Sequence, residues 1–493
     1  MSVKVRYKDV ALGADNNATV TTTAKTSFSD ITKIPYGVNP PALVTCEPNG
    51  WGLSHQYKAM NNHPIAFWSS TQSGEDCKFS SIPTITIAFT EQYTTTGLTI
   101  QFAVNSFDFC RKVNVFWYQG GTIKARGEYT PTDPFFVINR AVEAFDKLVF
   151  EFHETNLPRK RCKIENILIG VVRDFGTTEL TSVKAIHEID LISSTVPENV
   201  LDASVHGKDE VDYIFQKKQP VELTDNGDLI GVYFIEKGER TGRLDFSFSC
   251  SDAIGLLDLI TYGGGLWLTD TPLTTVLNEV FGIDFEFDID PVYANSKIRG
   301  FIEPNKKKRE ALQHIAFALG AVVDTSGTRK IRLFPPSFGS SEHISEKETY
   351  TGGKVTTSDT VTGVSITSFS IVDERPENNE TSIEFNGVKY KYTEEIVTVN
   401  NPNTVTSDPE NVKKFEKCYL VNSSNVQKLA NNIMAYYQRR DKYTFKHVLS
   451  GQKVSGRNTA GLPWGGIASG NITKMTVTTS NITVSDTEML LDE

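Results

Sequence analysis

Residues 296–334 read SKIRGFIEPNKKKREALQHIAFALGAVVDTSGTRKIRLF and carry the clearest secondary-structure signals of the chain. Pro304 follows a short apolar run and disfavours helix in the residue before it, and Asn305 is a common helix N-cap residue. We therefore predict that a helix begins at Asn305. Gly320 can adopt the left-handed conformation that closes a helix, so the helix is predicted to end there. The apolar positions with the spacing of one helix face are Leu312, Ile315, Ala316 and Leu319.

Short β-prone runs lie on both sides of this helix. One precedes it at 298–302, and two follow it at 321–324 and 330–334. The TSGT residues between the last two favour a hairpin. Upstream, Thr271 is the predicted N-cap of another helix, and Pro272 stands at its first helical position. Residues 270–335 are therefore predicted to form a small α/β domain.

Four basic side chains crowd the predicted first turn of the helix, namely Lys306, Lys307, Lys308 and Arg309. The helix macrodipole places partial positive charge there, so each cation costs about 0.3–1 kcal/mol if nothing offsets it. One interpretation is a solvated helix end with Glu303 and Glu310 as counter-ions. The other is contact with an acidic neighbour, either another subunit or nucleic acid.

Composition limits the class of protein. A chain of 493 residues is long enough for about three or four domains. Hydrophobic residues make up 39% and charged residues 22%, and no run of about 18 apolar residues occurs, so we expect neither disorder nor a membrane-spanning helix. The net charge of −10 argues against general affinity for nucleic acid, and DNA contact is expected to be transient at most. The N-terminal residues lack the apolar core of a secretory signal.

The sequence patterns do not indicate catalysis or metal binding. Six scattered cysteines form no C-x-x-C pair, and G-x-S-x-G, H-E-x-x-H and P-loop motifs are missing from the sequence. Two His–Glu neighbours, at 153–154 and 187–188, alternate along predicted strands, so we interpret them as ordinary strand surfaces. Glu286, Asp288 and Asp290 share a strand face, but acidic strand edges are common. We predict no enzyme, no cofactor and no metal site.

The N-terminal part is predicted to be β structure. Residues 1–38 are polar and read as an N-terminal arm. Residues 39–171 contain strand signals separated by turn residues, a spacing typical of a jelly-roll sandwich. The segments that suggest it are Trp51-Gly-Leu, Phe67-Trp-Ser-Ser, a hairpin TITIAFTEQYTTTGLTIQF at 84–102, KVNVFWYQGG at 112–121 and LVFEFHETNLPRKRCKIENILIG at 148–170.

These segments resemble the galactose-binding-like (discoidin-type) sandwiches found in bacterial carbohydrate-binding modules and in phage tail proteins. A sugar site needs an aromatic face and planar polar groups, and the candidates here are Trp51, Trp68, Asn61, Asn62, Arg159 and Lys160. The alternative, which we favour, is that the tryptophans are core residues at the sandwich ends. Trp117 alternates with Val113 and Val115 and is predicted to be core.

The remaining sequence is mainly β as well. Residues 172–269 suit a small antiparallel barrel, followed by a short helix that we expect Ser251 to cap. Residues 336–493 suit a second barrel with an amphipathic helix near 425–437. The predicted fold class is therefore mainly β with an α/β insert: a jelly-roll sandwich, then two small antiparallel barrels flanking a small α/β domain.

The order barrel, TPLTTVLNEVFGIDFEFD at 271–288, then IRGFIEPNKKKREALQHIAFALGAVVDTSGTRKIRLFPP at 298–336, resembles the late-control-protein-D-like hub family of phage tails and contractile injection systems. The resemblance implies a baseplate hub in the virion tail or an extracellular tail-like particle, assembled in the bacterial cytoplasm. It also implies a homotrimeric ring whose partners are the tail tube protein, the spike and other baseplate proteins.

Two basic clusters are our candidates for inter-subunit contacts in such a ring: Lys306, Lys307, Lys308 and Arg309, and the pair Arg439 and Arg440. The alternative function is a tail protein that attaches to bacterial cell-wall carbohydrate through its N-terminal sandwich, with Trp51, Trp68 and Arg159 as the contacts.

Overall fold

The computed structural model of the chain describes residues 3–11, 13–14, 17–23, 47, 65–103, 106–207, 218–282, 285–336, 342–345, 347–377, 380–405, 409–449, 452, 454, 456–479 and 482–492. Strands dominate the described chain, and the predicted mainly-β class is confirmed. Contacts divide the chain into two compact units. We call them the N-terminal unit, chiefly residues 6–174, and the C-terminal unit, chiefly residues 175–211 and 221–493.

The described strands up to residue 175 are β1 (Val3–Val10), β2 (Ala18–Thr22), β3 (Phe67–Gln72), β4 (Thr84–Phe102), β5 (Cys110–Gln119), β6 (Thr122–Tyr129), β7 (Phe135–Thr155), β8 (Arg161–Leu168) and β9 (Gly170–Phe175). Seven of them form one antiparallel sheet in the order β3-β8-β4-β7-β5-β6, with β2 paired to β4. The inward side chains of alternating positions form the core of this unit, and Trp117 is fully buried there, as predicted.

The predicted hairpin at 84–102 is wrong, because these residues form the single strand β4. The β4 strand pairs with β7 along its length and absorbs irregularities by register shifts between Ala88 and Gly97. The segment TEQYTTT at 90–96 is rich in β-forming residues, and Gly97, the one glycine of β4, does not adopt a left-handed conformation. Bulges therefore bend the strand where we expected a turn.

The described strands of the C-terminal unit after β9 are β10 (Leu180–Glu188), β11 (Val200–His206), β12 (Pro220–Asp225), β13 (Asp228–Arg240), β14 (Asp245–Ser251), β15 (Gly265–Pro272), β16 (Phe287–Ile289), β17 (Lys297–Ile302), β18 (Val322–Asp324), β19 (Ile331–Phe334), β20 (Glu342–Ile344), β21 (Lys354–Thr357), β22 (Gly363–Ile371), β23 (Ser382–Phe385), β24 (Val388–Asn400), β25 (Val412–Phe415), β26 (Asp441–Val448), β27 (Arg457–Gly461), β28 (Ile467–Thr479) and β29 (Thr483–Leu491). Its helices are α1 (Ala253–Asp258), α2 (Leu273–Phe281), α3 (Lys308–Leu319) and α4 (Val426–Gln438), with a 3-10 turn at Pro291–Tyr293.

Strands from both predicted barrels belong to one sheet. Its path runs β21-β26-β29-β28-β10-β11-β14-β13-β12, and β27 pairs with β28 and β20 with β27. The junction is the antiparallel pair β10–β28, which aligns Val183 with Thr479 and Glu188 with Lys474. A second sheet, β23-β24-β22-β25, packs against α4. The sequence stretches on either side of the insert are therefore joined by main-chain hydrogen bonds.

The insert contains the predicted strand, helix and hairpin. Strand β17 precedes α3, and β18 and β19 pair antiparallel after it. Leu312, Ile315 and Ala316 are fully buried, and Gly320 closes the helix at φ 62° in the left-handed region. The apolar face and the end of the helix are thus confirmed.

The helix starts later than predicted. Asn305 is not the N-cap, since it adopts a φ of 65° and donates its N–H to Tyr262 O at 2.9 Å. Lys308 N–H is likewise held by Ile260 O at 2.9 Å, so the main chain before Lys308 is bonded to a neighbouring segment. The N-cap is Lys307, whose N–H bonds to Glu310 Oε2 at 2.9 Å.

Two other predicted caps also shift by a residue. Asp252, not Ser251, caps α1, because its Oδ1 accepts from Ile254 N–H at 2.9 Å and from Gly255 N–H at 3.2 Å. Helix α2 begins after Pro272, which serves as its N-cap. The helix predicted near 425–437 is confirmed as α4.

Candidate interaction sites

The basic turn, defined as residues 306–309, finds partners within the chain. Lys306 Nζ lies 3.4 Å from Glu303 and 3.8 Å from Glu310, the two counter-ions considered from the sequence. The Lys308 ammonium donates to Phe281 O at 3.3 Å. Lys307 is the exposed member of the turn. The contact between this turn and another subunit stays a prediction.

Arg309 connects the basic turn to the segment before β11. Its Nε donates to Val196 O at 2.8 Å, and its guanidinium lies 3.4 Å from Glu198. Because these contacts hold the guanidinium beside the chain's own carboxylate, the turn offers less free charge to a partner than its sequence suggests.

The second basic cluster, Arg439 and Arg440, follows α4 and bonds to neighbouring segments of the same chain. Arg439 donates to Leu490 O at 2.7 Å and to Leu491 O at 3.1 Å, and it lies 3.2 Å from Asp492. Burial lowers its pKa. Arg440 Nε donates to Ser358 O at 2.9 Å. The Arg439 guanidinium is therefore committed to the last strand, whereas the inter-subunit role of the pair stays a prediction.

The candidate sugar residues do not share one surface among the described residues. Trp51, Asn61 and Asn62 lie outside the described residues. Trp68 is 2% exposed and packs with Ile65 and Ala103, so its ring has no free face for a sugar and the core interpretation applies. Arg159 is exposed and forms an ion pair with Glu75.

Lys160, also a sugar candidate, belongs instead to a buried ion cluster. Its Nζ lies 3.0 Å from Asp108 Oδ1, and Lys163 Nζ lies 2.7 Å from Asp108 Oδ2 and 2.5 Å from Glu47. The four side chains are at most 2% exposed. Two cations and two anions therefore neutralise one another in the interior of the N-terminal unit, beside Trp68, whose ring centroid is 5.3 Å from Lys163 Nζ.

The acidic strand residues have structural partners. Asp290 caps the 3-10 turn by accepting from Val292 N–H at 2.9 Å, and Glu286 lies 3.4 Å from Lys330. Within the described ranges, no group of three His, Cys, Asp or Glu residues is placed to hold a metal ion. The described helices also include none long and apolar enough to cross a membrane.

The interpretation of His187 as strand surface is wrong. His187 is 4% exposed and bonds to the Tyr233 hydroxyl, and burial lowers its pKa to about 4. Nearby, burial raises the pKa of Asp252 to about 6, although Thr325 and the N–H of Asn199 donate to its carboxylate. The alternation of His187 with the buried Val183 and Ala185 was the sequence signal for an inward position.

Sequence reasoning also missed an exposed apolar hairpin tip. Strands β27 and β28 are joined by Leu462-Pro-Trp-Gly-Gly, and Trp464 and Ile467 are each 67% exposed. The dipeptide Gly465-Gly466 between β-prone runs was the available turn signal.

An apolar groove of about 250 Å³ lies along α4 in the C-terminal unit. Its lining consists of Leu191, Ile192, Gly320, Pro336, Leu429, Asn432, Ile433, Ala435, Tyr436 and Arg439. Arg439 is the one ionised side chain in this lining, so the groove presents mostly apolar surface.

Comparisons with known proteins give structural matches only, since no family model and no curated protein sequence matches the chain. A tail protein from Neisseria meningitidis MC58 aligns at 12% identity over 65% of this chain and 94% of that chain, with a TM-score of 0.46. Prophage tail protein gp18 from Listeria monocytogenes EGD-e aligns at 11% identity over 64% and 91%, with a TM-score of 0.42. The c3393 protein of Escherichia coli, a component of the type VI secretion system, aligns at 8% identity over 64% and 74%, with a TM-score of 0.39.

Proposed function

We propose that this chain is a structural protein of a phage tail or phage-like contractile particle, in which it forms a hub ring that joins the tail tube to the central spike. The observation that carries the proposal is the β10–β28 pairing, which closes one sheet from strands on both sides of the α/β insert. The order barrel, insert, barrel is the order that the sequence resemblance to the hub family implies.

Edge strands provide a physical route to ring formation. Strand β21 ends the path of the large sheet, and Lys354, Thr356 and Thr357 are exposed on it. An edge strand presents N–H and C=O groups that can pair with another chain. A repeated contact between different faces of identical subunits closes into a ring when its rotation permits. The proposed work of the chain is therefore assembly rather than bond chemistry.

Mass photometry and negative-stain electron microscopy of the full chain test this proposal. We expect three-subunit rings whose population grows with protein concentration. A chain that stays monomeric at every concentration, and also in the presence of the tube and spike proteins of the same particle, would refute it.

Carbohydrate binding through the N-terminal unit stays the alternative prediction. Of the three predicted contacts, Trp51, Trp68 and Arg159, the last is the described residue with an exposed side chain. Isothermal titration of the full chain with host cell-wall glycan tests it: saturable binding that Arg159→Ala weakens would support this function, and a flat titration would refute it.

A further inference from the structure

The hairpin tip between β27 and β28 has the composition of a contact surface. We call residues 461–467 the finger. The sequence holds no charged residue from Asn458 to Thr473, although charged residues make up 22% of the chain. Trp464 and Ile467 nevertheless stand 67% exposed on the finger. Large apolar side chains grouped on an uncharged surface mark interaction sites, and tryptophan is one of the residue types enriched among binding hot spots.

Hydrogen bonds hold the finger in one conformation. Leu462 N–H donates to Gly466 O and Gly465 N–H donates to Leu462 O, both at 3.0 Å. Gly465 and Gly466 adopt φ values of 91° and 92°, which favour glycine. The Trp464 side chain is thus presented by an ordered turn, and little main-chain entropy remains to be lost when a partner covers it.

The groove along α4 offers a matching receptor in the same chain. Its walls include Leu429, Ile433 and Tyr436 from α4 and Leu191 and Ile192 from the segment after β10. A volume of about 250 Å³ is sufficient for an indole ring. Trp464 is not among the residues that line it, so the chain's own finger leaves this groove open.

Finger and groove belong to one region of the C-terminal unit. Arg457, the first residue of β27, forms an ion pair with Asp492. Asp492 also lies 3.2 Å from Arg439, which lines the groove. The finger begins at Gly461, four residues along the strand, so its base stands roughly 13 Å from this ion pair. One region of each copy can therefore both present a finger and receive one.

We propose that Trp464 of one copy inserts into the groove of a second copy of this chain, which deepens the proposed function and rests on it. Copies that each carry a net charge of −10 repel one another, and an uncharged finger meeting an apolar groove brings no like charges together. Each such contact buries two apolar surfaces that are otherwise in water.

Photo-crosslinking of the full chain tests the contact directly. p-Benzoylphenylalanine is placed at position 464, the protein is mixed with isotope-labelled copies, and crosslinked peptides are identified by mass spectrometry. We expect crosslinks between labelled and unlabelled copies that map to residues 429–439. Crosslinks to another surface of the second copy, or crosslinks only within one copy, would overturn the proposal.

Variants measure the strength of the contact. Trp464→Ala and Ala435→Glu are each expected to weaken self-association roughly 10- to 30-fold, as loss of a hot spot does. The double variant should lose little more than either single variant, because both remove the same contact. Val292→Ser removes a side chain that is 64% exposed outside the finger, and it serves as the matched control with unchanged association. Additive losses in the double variant, or an equal loss in the control, would contradict the proposal.

The outcomes separate this inference from the proposed function. If wild-type chains form rings and Trp464→Ala forms them equally well, the finger contact is wrong and the ring stands. If wild-type chains never associate, both fail. A flotation assay with phosphatidylcholine–phosphatidylglycerol vesicles tests lipid as the alternative partner. Vesicle binding that depends on Trp464 would assign the finger to lipid and overturn the proposed contact between copies.

Discussion

Lys163 and Asp108 form an ion pair of 2.7 Å in the interior of the N-terminal unit, with 0% and 2% of their side chains exposed. A charge so buried is tolerated only while its partner is present, since removing one member leaves the other without water or counter-ion. The pair therefore ties β8 to the segment before β5 through electrostatics rather than through apolar packing.

The first prediction concerns this pair. Lys163→Ala should lower the free energy of unfolding of the N-terminal unit by about 3–5 kcal/mol, because Asp108 and Glu47 lose a buried counter-ion. Urea denaturation followed by fluorescence measures it. The control is Lys112→Ala, which breaks an exposed pair with Glu128 at 3.1 Å and should cost less than about 1 kcal/mol. Equal losses in the two variants would contradict the buried-pair argument.

The second prediction follows from the lowered pKa of His187. The unfolded chain binds a proton near pH 6.5, whereas the folded chain resists protonation of His187 until about pH 4. This residue therefore makes stability fall, by up to about 3 kcal/mol, as pH drops from 6.5 to 4. His187→Gln can keep a hydrogen bond to Tyr233 and should remove that loss. Denaturation curves of both proteins across this pH range give the difference, and parallel curves would refute the assignment.

The third prediction concerns Asp252, whose contribution to stability falls as pH rises, whereas that of His187 falls as pH drops. Burial raises the pKa of Asp252 from 3.8 to about 6, so the folded chain retains a proton that the unfolded chain releases. The contribution of Asp252 is fully present below pH 3.8 and is lost as pH rises to about 6. Asp252→Asn keeps the Oδ1 acceptor that caps α1. Relative to this variant, the wild type should lose about 3 kcal/mol of stability between pH 3.8 and 6. A difference that stays constant with pH would count against it.

The fourth prediction separates folding from assembly at the basic turn. Lys307→Ser places a preferred N-cap residue three positions before Glu310 and completes a capping box, so thermal stability should rise by about 1 kcal/mol. If the exposed Lys307 contacts an acidic subunit surface, ring formation in mass photometry should weaken at the same time. Lys330→Ser, in the hairpin, is the control for loss of an exposed lysine. Unchanged ring assembly, also after charge reversal at residues 306–308, would discard the inter-subunit role.

The fifth prediction tests a close approach of main chains. A Cβ added at Gly300 would lie 2.1 Å from Tyr419 O, and Gly300 has a φ of 137°. Gly300→Ala should therefore destabilise the C-terminal unit by about 1–3 kcal/mol, because β17 must move away from the segment before α4. Gly263→Ala adds its Cβ where no atom lies within 4 Å and is the matched control. Equal melting temperatures for the two variants would argue against the close approach.

The sequence predicted those features that depend on nearby residues. The apolar face of α3, its end at Gly320 and the hairpin β18–β19 follow from residue spacing and turn chemistry. The late start of α3 could not be predicted, because Asn305 is held by Tyr262, a residue more than 40 positions away. Local preference favours a cap at Asn305, and the tertiary hydrogen bond overrides it.

The candidate sites were harder to predict for the same reason. Lys160 is a candidate sugar contact in the sequence, since lysine is seldom buried without a partner, and its partner Asp108 comes from a distant segment. His187 is interpreted from the sequence as strand surface because it and Glu188 point to opposite faces of a strand, although its alternation with the apolar Val183 and Ala185 indicates the interior. Residue type and immediate sequence neighbours were therefore insufficient to place Lys160 and His187.

The bond between Lys474 Nζ and Glu188 joins residues 286 positions apart across the β10–β28 junction. During synthesis, β10 leaves the ribosome long before its partner strand exists, and its open edge must wait unpaired until β28 emerges. The large sheet consequently closes late and over a long chain loop, which makes folding slow. Nascent chains released before residue 474 would keep that edge exposed, so we expect truncated products to aggregate more readily than the full chain.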